Sequence, residues 1–163
     1  MNMKHLDILL VDDDDNDCAL FGVAVNEAGL SIDFQTVADG GNAICYLEGR
    51  GGYADRKMHP IPELVLLDLC MRVTGAFDFL DWRRASALFS SLPVILFSAY
   101  AYKGAIDTAL SLGADAFIAK PFGFEKLLAT VRQIWVLGMK QSVAKSLAMP
   151  PFSTVSRITC HPL

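Results

Sequence analysis

The chain has 163 residues, of which 53% are hydrophobic and 20% charged, with a formal net charge of −4 at pH 7. That length supports one domain with a real core, and the composition excludes a disordered or fibrous chain. The mild acidity gives no global reason to bind nucleic acid or an anionic membrane, so neither is expected as a partner.

No apolar stretch approaches the roughly 20 residues of a membrane span. Met1 to Asp7 lacks signal-peptide architecture, because strand-like residues and a carboxylate run come directly after it. The cysteines Cys18, Cys45, Cys70 and Cys160 have neither CxxC nor His–Cys spacing, which argues against zinc. A reducing cytoplasm is expected, with Cys18 and Cys45 filling core. His5, His59 and His161 are scattered, and no metal role is expected of them.

In chain order, short apolar runs alternate with amphipathic stretches. Strands are predicted over Asp7–Val11, Asp33–Val37, Glu63–Leu67, Pro93–Phe97 and Asp115–Ala119. Helices are predicted over Asn16–Ala28, Gly41–Glu48, Phe77–Leu88, Lys103–Leu112 and Phe124–Val136. Such alternation argues for βαβ units, right-handed crossovers and one parallel sheet of the α/β class. Asp15 or Asn16 is expected to cap the first helix, and Gly29 and Gly113 to end helices in a left-handed conformation. The stretch Gly49–Pro62 (GRGGYADRKMHPIP) reads as a surface loop. Beyond Gly138, Lys140–Ala148 is able to extend the last helix, Pro150-Pro151 would stop it, and Phe152–Leu163 has no clear period. We therefore expect a domain over 1–137 and a C-terminal extension over 138–163 without a separate output domain.

The polar residues that close the strands carry the chemistry. Asp12-Asp13 closes Ile8–Val11, Asp68 closes Leu64–Leu67, Ser98 closes Val94–Phe97, and Lys120-Pro121 comes after Phe117–Ala119. In open α/β sheets this edge is where ligands bind. Three carboxylates gathered there would repel one another unless a cation and Lys120 joined them, which suits Mg²⁺ and a phosphoryl group. Asp68, alone at the end of the central strand, is the candidate nucleophile. Asp12 and Asp13 are candidate metal ligands, Ser98 a hydroxyl donor, and the small Ala99 leaves room for the phosphoryl group. Asp14 and Asp15 read as a solvated loop with a helix cap. Each residue alone has an ordinary explanation: Asp68 as a cap, Lys120 as a solvent lysine, Ser98 as a strand end, Phe117 as core. Their combination favours the site. Cys70 as a redox thiol is disfavoured, since only Arg72 beside it is basic.

Taken together, ILLVDD (8–13), LVLLDL (64–69), PVILFSA (93–99), LGADAFIAKPF (112–122) and LLATVRQIW (127–135) resemble the receiver domain of two-component response regulators. The resemblance covers roughly residues 5–137. It implies a flavodoxin-like, doubly wound five-stranded parallel sheet of order 2-1-3-4-5 with five helices. It implies that Asp68 accepts phosphate from the phosphohistidine of a sensor histidine kinase, or exchanges it with a histidine phosphotransfer protein. Asp13 would then ligate Mg²⁺ directly, Asp12 largely through water, and Asp68 and the Cys70 backbone carbonyl would complete the protein's ligands. Lys120 would pair with Asp68 and then with its phosphoryl group. Ser98 would move toward that group, Phe117 would be the aromatic switch, and Lys120–Pro121 would be cis. The loop before the third strand resembles a subgroup of short, stand-alone response regulators, some of which pair with bacterial phytochromes or other hybrid sensor kinases.

The stretch after Asp68 departs from the family pattern. Arg72 replaces the usual proline, and Ala76 stands where a glycine belongs, at a cost if the turn needs positive φ. Cys70 and Tyr100 occupy positions that tune water access in receivers, and a bulky Tyr100 implies slow loss of the phosphoryl group. The last helix carries more apolar residues than one face buries, which leads us to expect a homodimer. Three functions compete. The first is a phosphorylatable signalling module without turnover, whose output is a protein partner, a dimer change or onward phosphotransfer. The second is a degenerate receiver acting as an unphosphorylated scaffold, motivated by Arg72 and Ala76. The third is a haloacid-dehalogenase-like phosphatase with its nucleophile in Asp13-Asp14-Asp15, which leaves Asp68 unexplained.

Overall fold

The computed structural model describes residues 5–71, 75–99 and 102–148, with side chains as far as residue 141. Arg72, Tyr100, the tail from Met149 onward, Cys160 and His161 lie outside these residues, as do the expectations attached to them.

Strands and helices alternate along the chain. They are β1 (Leu6–Val11), α1 (Asp15–Ala28), β2 (Ile32–Val37), α2 (Gly40–Glu48), β3 (Leu64–Leu67), α3 (Ala76–Ala85), β4 (Val94–Ser98), α4 (Lys103–Ser111), β5 (Ala116–Ala119) and α5 (Phe124–Ala148). The strands form one parallel sheet in the order β2-β1-β3-β4-β5. This is the flavodoxin-like arrangement expected from the sequence. The chain winds one way from β1 to β2 and the other way from β3 onward. β1 and β3 are therefore neighbours at the reversal, with Val11 level with Leu67. Their C-terminal tips face the crevice that such a reversal opens.

Both faces of the sheet are covered at its centre, which is why β3 and β4 are continuous buried runs, whereas edge strand β2 (IDFQTV) is polar and exposed between its ends. On β1 the odd and even positions serve different cores. Leu9 and Val11 join Leu67, Phe79, Leu80 and Leu96 beneath α2 and α3, whereas Leu6, Ile8 and Leu10 join Phe21, Val25, Phe97, Val131 and Ile134 beneath α1 and α5. Within α5 the apolar residues are divided. Val131 and Ile134 are fully buried, while Val136 stays 44% exposed.

Several local expectations are corrected. Asp14, not Asp15 or Asn16, caps α1: its backbone is extended and its carboxylate accepts N–H bonds from Asn16 and Asp17 at 2.8 and 3.2 Å. Helix α3 stops at Ala85, short of Leu88, because Ser86 turns extended and its hydroxyl accepts from the Leu88 and Phe89 amides. Ala76 begins α3 in helical conformation with Gly75 as its extended cap, so position 76 does not need glycine. Lys120–Pro121 is trans, since no cis peptide occurs among the described residues; trans is the intrinsic preference even before proline. Helix α5 runs unbroken past Val136 to Ala148. It passes through Gly138, where a Cβ would lie only 2.7 Å from Leu6 Cδ2, so glycine lets the helix approach β1.

Two arginines organise the bottom of the sheet. In the loop before β3, Arg56 donates to the Tyr46 carbonyl at 2.7 Å and also to the Leu47 carbonyl, closing the end of α2. The Tyr46 hydroxyl donates to the Pro60 carbonyl at 3.0 Å. Arg83 of α3 is buried and donates to the carbonyls of Leu92 (2.8 Å) and Gly113 (2.9 Å). Its guanidinium lies 3.6 Å from Asp115, which in turn accepts the Val94 amide at 2.8 Å. On the β2 edge, Asp7 and Asp33 are paired directly across strands, a like-charge opposition that costs stability. His5 Nε2 sits between them at 3.2 and 3.3 Å, with Nδ1 on the Ser31 hydroxyl. The histidine that looked isolated in sequence thus joins two carboxylates in the fold.

Candidate functional site

The sheet's C-terminal edge collects Asp12, Asp68, Ser98 and Lys120, and the ladder continues one residue past the strand ends to hold them. The Asp12 amide donates to Val37 O, the Asp68 amide to Val11 O, and the Lys120 amide to Ser98 O, all at 2.9–3.0 Å. Each functional side chain is therefore fixed at its root by sheet hydrogen bonding, the most rigid scaffold available.

Asp68 is buried, and both of its oxygens are engaged. Oδ1 accepts the Ser98 hydroxyl at 2.6 Å and the Cys70 amide at 2.9 Å. Oδ2 accepts from Lys120 Nζ at 2.9 Å. The same ammonium donates to Asp12 Oδ2 at 2.7 Å and to Asp17 Oδ2 at 2.8 Å. Asp12 Oδ1 accepts the Asp14 amide at 3.0 Å, a local turn that aims its other oxygen at Lys120. The Cys70 thiol sits 3.6 Å from the Ser98 hydroxyl, beside the carboxylate. Phe117 is half-buried on β5, against the core beneath α3 and α4.

One ammonium, that of Lys120, is shared here among the carboxylates of Asp12, Asp17 and Asp68. Burial pushes the Asp12 carboxyl above its ordinary 3.8, and its hydrogen bond to Lys120 does not fully offset this. For Lys120, burial pulls downward, but the bonds to Asp12, Asp17 and Asp68 outweigh it and the ammonium titrates above its ordinary 10.5. Burial, aided by the nearby Asp12 charge, raises the Cys18 thiol to about 11, so it stays protonated at neutral pH and fills space.

The donor set fits Mg²⁺. The carboxylates of Asp12, Asp13 and Asp68 and the Cys70 carbonyl are hard oxygens of the kind this ion takes. The bridging ammonium already marks the gap between Asp12 and Asp68 as a place that favours positive charge. With Lys120 in that gap, the three carboxylates are not drawn to metal-ligand spacing. Among the described residues only His5, Asp7 and Asp33 are gathered so closely.

Asp17 is the member that sequence reasoning missed. Its signal was helical phase: Asp17, Phe21 and Ala24 share one stripe of α1, and the latter two are buried. A carboxylate at the top of an inward stripe, one turn beyond the strand end, points into the crevice.

Comparison with known proteins bears on the family and the fold. A family profile for the response regulator receiver domain matches residues 8–132. The chain is 28% identical over 127 residues to the alkaline phosphatase synthesis transcriptional regulatory protein SphR of Synechococcus elongatus, covering 78% of this chain and 48% of that protein. It is 31% identical over 130 residues to the probable transcriptional regulatory protein SilR of Salmonella typhimurium, covering 78% and 50%. The chain thus spans about half the length, or less, of the curated relatives it matches. Among solved structures, it is similar to response regulator RPA3017 in red light signaling of R. palustris, with 29% identity, a TM-score of 0.78, and coverage of 83% of this chain and 95% of that one. It is also similar to the phosphorylated cyanobacterial phytochrome response regulator RcpA, with 26% identity, a TM-score of 0.74, and coverage of 91% and 100%. The Mn²⁺-bound form of response regulator Rcp1, at 22% identity and a TM-score of 0.68 over 79% of this chain and 91% of that one, shares the fold. Sheet order, strand-end chemistry and the profile match over 8–132 converge, and the chain belongs to the response regulator receiver domain family.

Proposed function

We propose that this chain is a single-domain response regulator that accepts a phosphoryl group on Asp68. The observation that carries the reading is the double engagement of Asp68, with Lys120 on one carboxylate oxygen and Ser98 on the other. Phosphoryl transfer asks a protein mainly for positioning and for stabilisation of charge on the transferred oxygens, and these residues are arranged for both.

In this reading an Asp68 carboxylate oxygen attacks the phosphorus of a phosphohistidine on a sensor histidine kinase or phosphotransfer protein. The phosphorus–nitrogen bond breaks, its electron pair returns to the imidazole, and the new phosphorus–oxygen bond leaves an acyl phosphate on Asp68. Lys120 and Ser98 then exchange the carboxylate oxygens for phosphoryl oxygens. Asp12 (through water), Asp13, Asp68 and the Cys70 carbonyl would hold Mg²⁺, which when bound supplies further neutralisation of phosphoryl charge. The shift of Ser98 from carboxylate to phosphoryl group opens space beside β4. Phe117 on adjacent β5 is the residue we assign to report it, through a two-state change at a partner or homodimer surface. We place the protein in the cytoplasm, with residues 1–137 as the receiver and 138–163 as an extension. The likeness to RPA3017 and RcpA supports pairing with a phytochrome-type kinase.

A phosphatase using the Asp13–Asp15 run finds less support. Asp14 is committed to capping α1, and Asp15 is exposed. The test is intact mass after incubation with acetyl phosphate and Mg²⁺, beside Asp68→Asn and a chelator control. A phosphoryl adduct that needs both Asp68 and the metal is expected. No adduct in any arm would favour the unphosphorylated scaffold.

A further inference from the structure

Lys120 spends its three N–H donors on three different carboxylates, one each. Two of those partners are claimed elsewhere if the reaction runs as proposed above. Asp12 turns to the metal, and Asp68 loses its carboxylate charge when it becomes an acyl phosphate. Asp17 is the partner that neither event touches. Its side chain keeps 41% of its surface in solvent, and its backbone is set by the Asp14 cap, so it is both mobile enough to track the ammonium and rooted on a fixed turn.

We propose that Asp17 is a positioning residue that keeps Lys120 at the mouth of the site throughout the phosphorylation cycle. Without such an anchor, a long four-carbon stem released by Asp12 and Asp68 samples several rotamers and meets the incoming phosphoryl group only part of the time. With it, one N–H stays on α1 while the other two are free to pass from carboxylate to phosphoryl oxygens. Asp17 touches no reacting atom; it acts through Lys120. The inference rests on the reading of Asp68 as phosphoacceptor, and the experiment separates the two.

The variant is Asp17→Asn, which keeps the shape and removes the charge, compared with Asp17→Glu, which restores the charge one methylene further out. With acetyl phosphate and Mg²⁺, Asp17→Asn is expected to lower the saturating phosphorylation rate by about fivefold, the upper range for a half-exposed ion pair. The acetyl phosphate concentration at half-saturation stays unchanged, and Asp17→Glu recovers part of the rate. In a Lys120→Met background the same Asp17→Asn change is expected to do nothing, the signature of action through Lys120. A second readout needs no turnover: the ¹⁵N-edited NMR signal of the Lys120 ammonium, which is expected to persist in the parent protein on adding Mg²⁺ and to broaden away in Asp17→Asn. Equal loss of rate in both backgrounds, or an ammonium signal indifferent to Asp17, overturns the proposal. Failure of the parent protein to form any adduct counts instead against the phosphoacceptor reading, and the NMR arm still decides the role of Asp17.

Discussion

Replacing Lys120 by methionine removes the charge and keeps the apolar stem, and the structure bounds the energetic consequence. Asp12 and Asp68 have side chains only 1% and 9% exposed, so the variant strands two carboxylates in one buried crevice. Breaking a buried ion pair from one side typically costs 3–5 kcal/mol. The crevice has an escape, because one carboxyl can take up a proton. With an unfolded-state value of 3.8, protonating one Asp at pH 7 limits the loss to about 4 kcal/mol, and at about pH 5.5 to about 2 kcal/mol. Because the folded-state pKa then lies above the unfolded one, the penalty is absent below the unfolded value, grows as pH rises above it, and levels off beyond the folded value. The parent protein already carries a penalty of this sign on Asp12, raised by burial and lessened by Lys120, while Lys120, its own pKa raised, adds stability that is lost only as pH climbs beyond 10.5. The assay is metal-free urea unfolding of both proteins at the two pH values. We expect a deficit of about 3 kcal/mol at neutral pH that shrinks by at least one-third in acid, and millimolar Mg²⁺ at pH 7 to recover part of it. A deficit equal at both pH values and blind to Mg²⁺ would refute the picture of a cation-neutralised carboxylate cluster.

Three further outcomes are expected. Arg83→Met leaves the Leu92 and Gly113 carbonyls without their donor and should cost about 2–4 kcal/mol in a chemical melt; a loss under half a kilocalorie would mean water replaces the guanidinium. Asp14→Ala removes the cap of α1 and should cost about 1 kcal/mol, whereas Asp14→Asn should be nearly neutral because the amide oxygen still accepts. Gly138→Ala should lower the melting temperature although alanine favours helices by about 1 kcal/mol, since the added Cβ meets the fully buried Leu6; a rise would show that α5 shifts freely over β1.

Sequence made legible whatever repeats with a short period or closes an apolar run. The strand tips announce themselves because each polar residue interrupts a run that both sheet faces bury, and Asp12, Asp68, Ser98 and Lys120 meet where those tips meet. Sheet order came with the family resemblance rather than from the pattern itself. Asp17 was hidden because its partner lies 103 residues away on another element, so only helical phase hinted at it. The cap at Asp14 was lost among four consecutive aspartates, any of which satisfies the local chemistry; the position of the first helical turn alone selects one. The end of α3 depended on Ser86 preferring its own turn over another helical residue, a near-balanced local competition. Arg56 and Arg83 carry no local signal at all, because the backbone carbonyls they hold are brought together only by the finished fold.

Arg83 also fastens one end of helix α4. By gripping the carbonyl at Gly113, just past the end of α4, it fastens that end of the helix to α3 and to the root of β4. The other end of α4 begins after Tyr102, which is 76% exposed and holds no side-chain cap bond. Helix α4 is thus held by other elements at its C-terminal end, and a tilt about that end would displace its N-terminal end most. At 1.5 Å per residue it is about 14 Å long, so a tilt of about 10° would carry its N-terminal end through roughly 2 Å. Were Ser98 to move toward a phosphoryl group as proposed above, a tilt of α4 about its fastened end would be felt most at Tyr102 and Lys103.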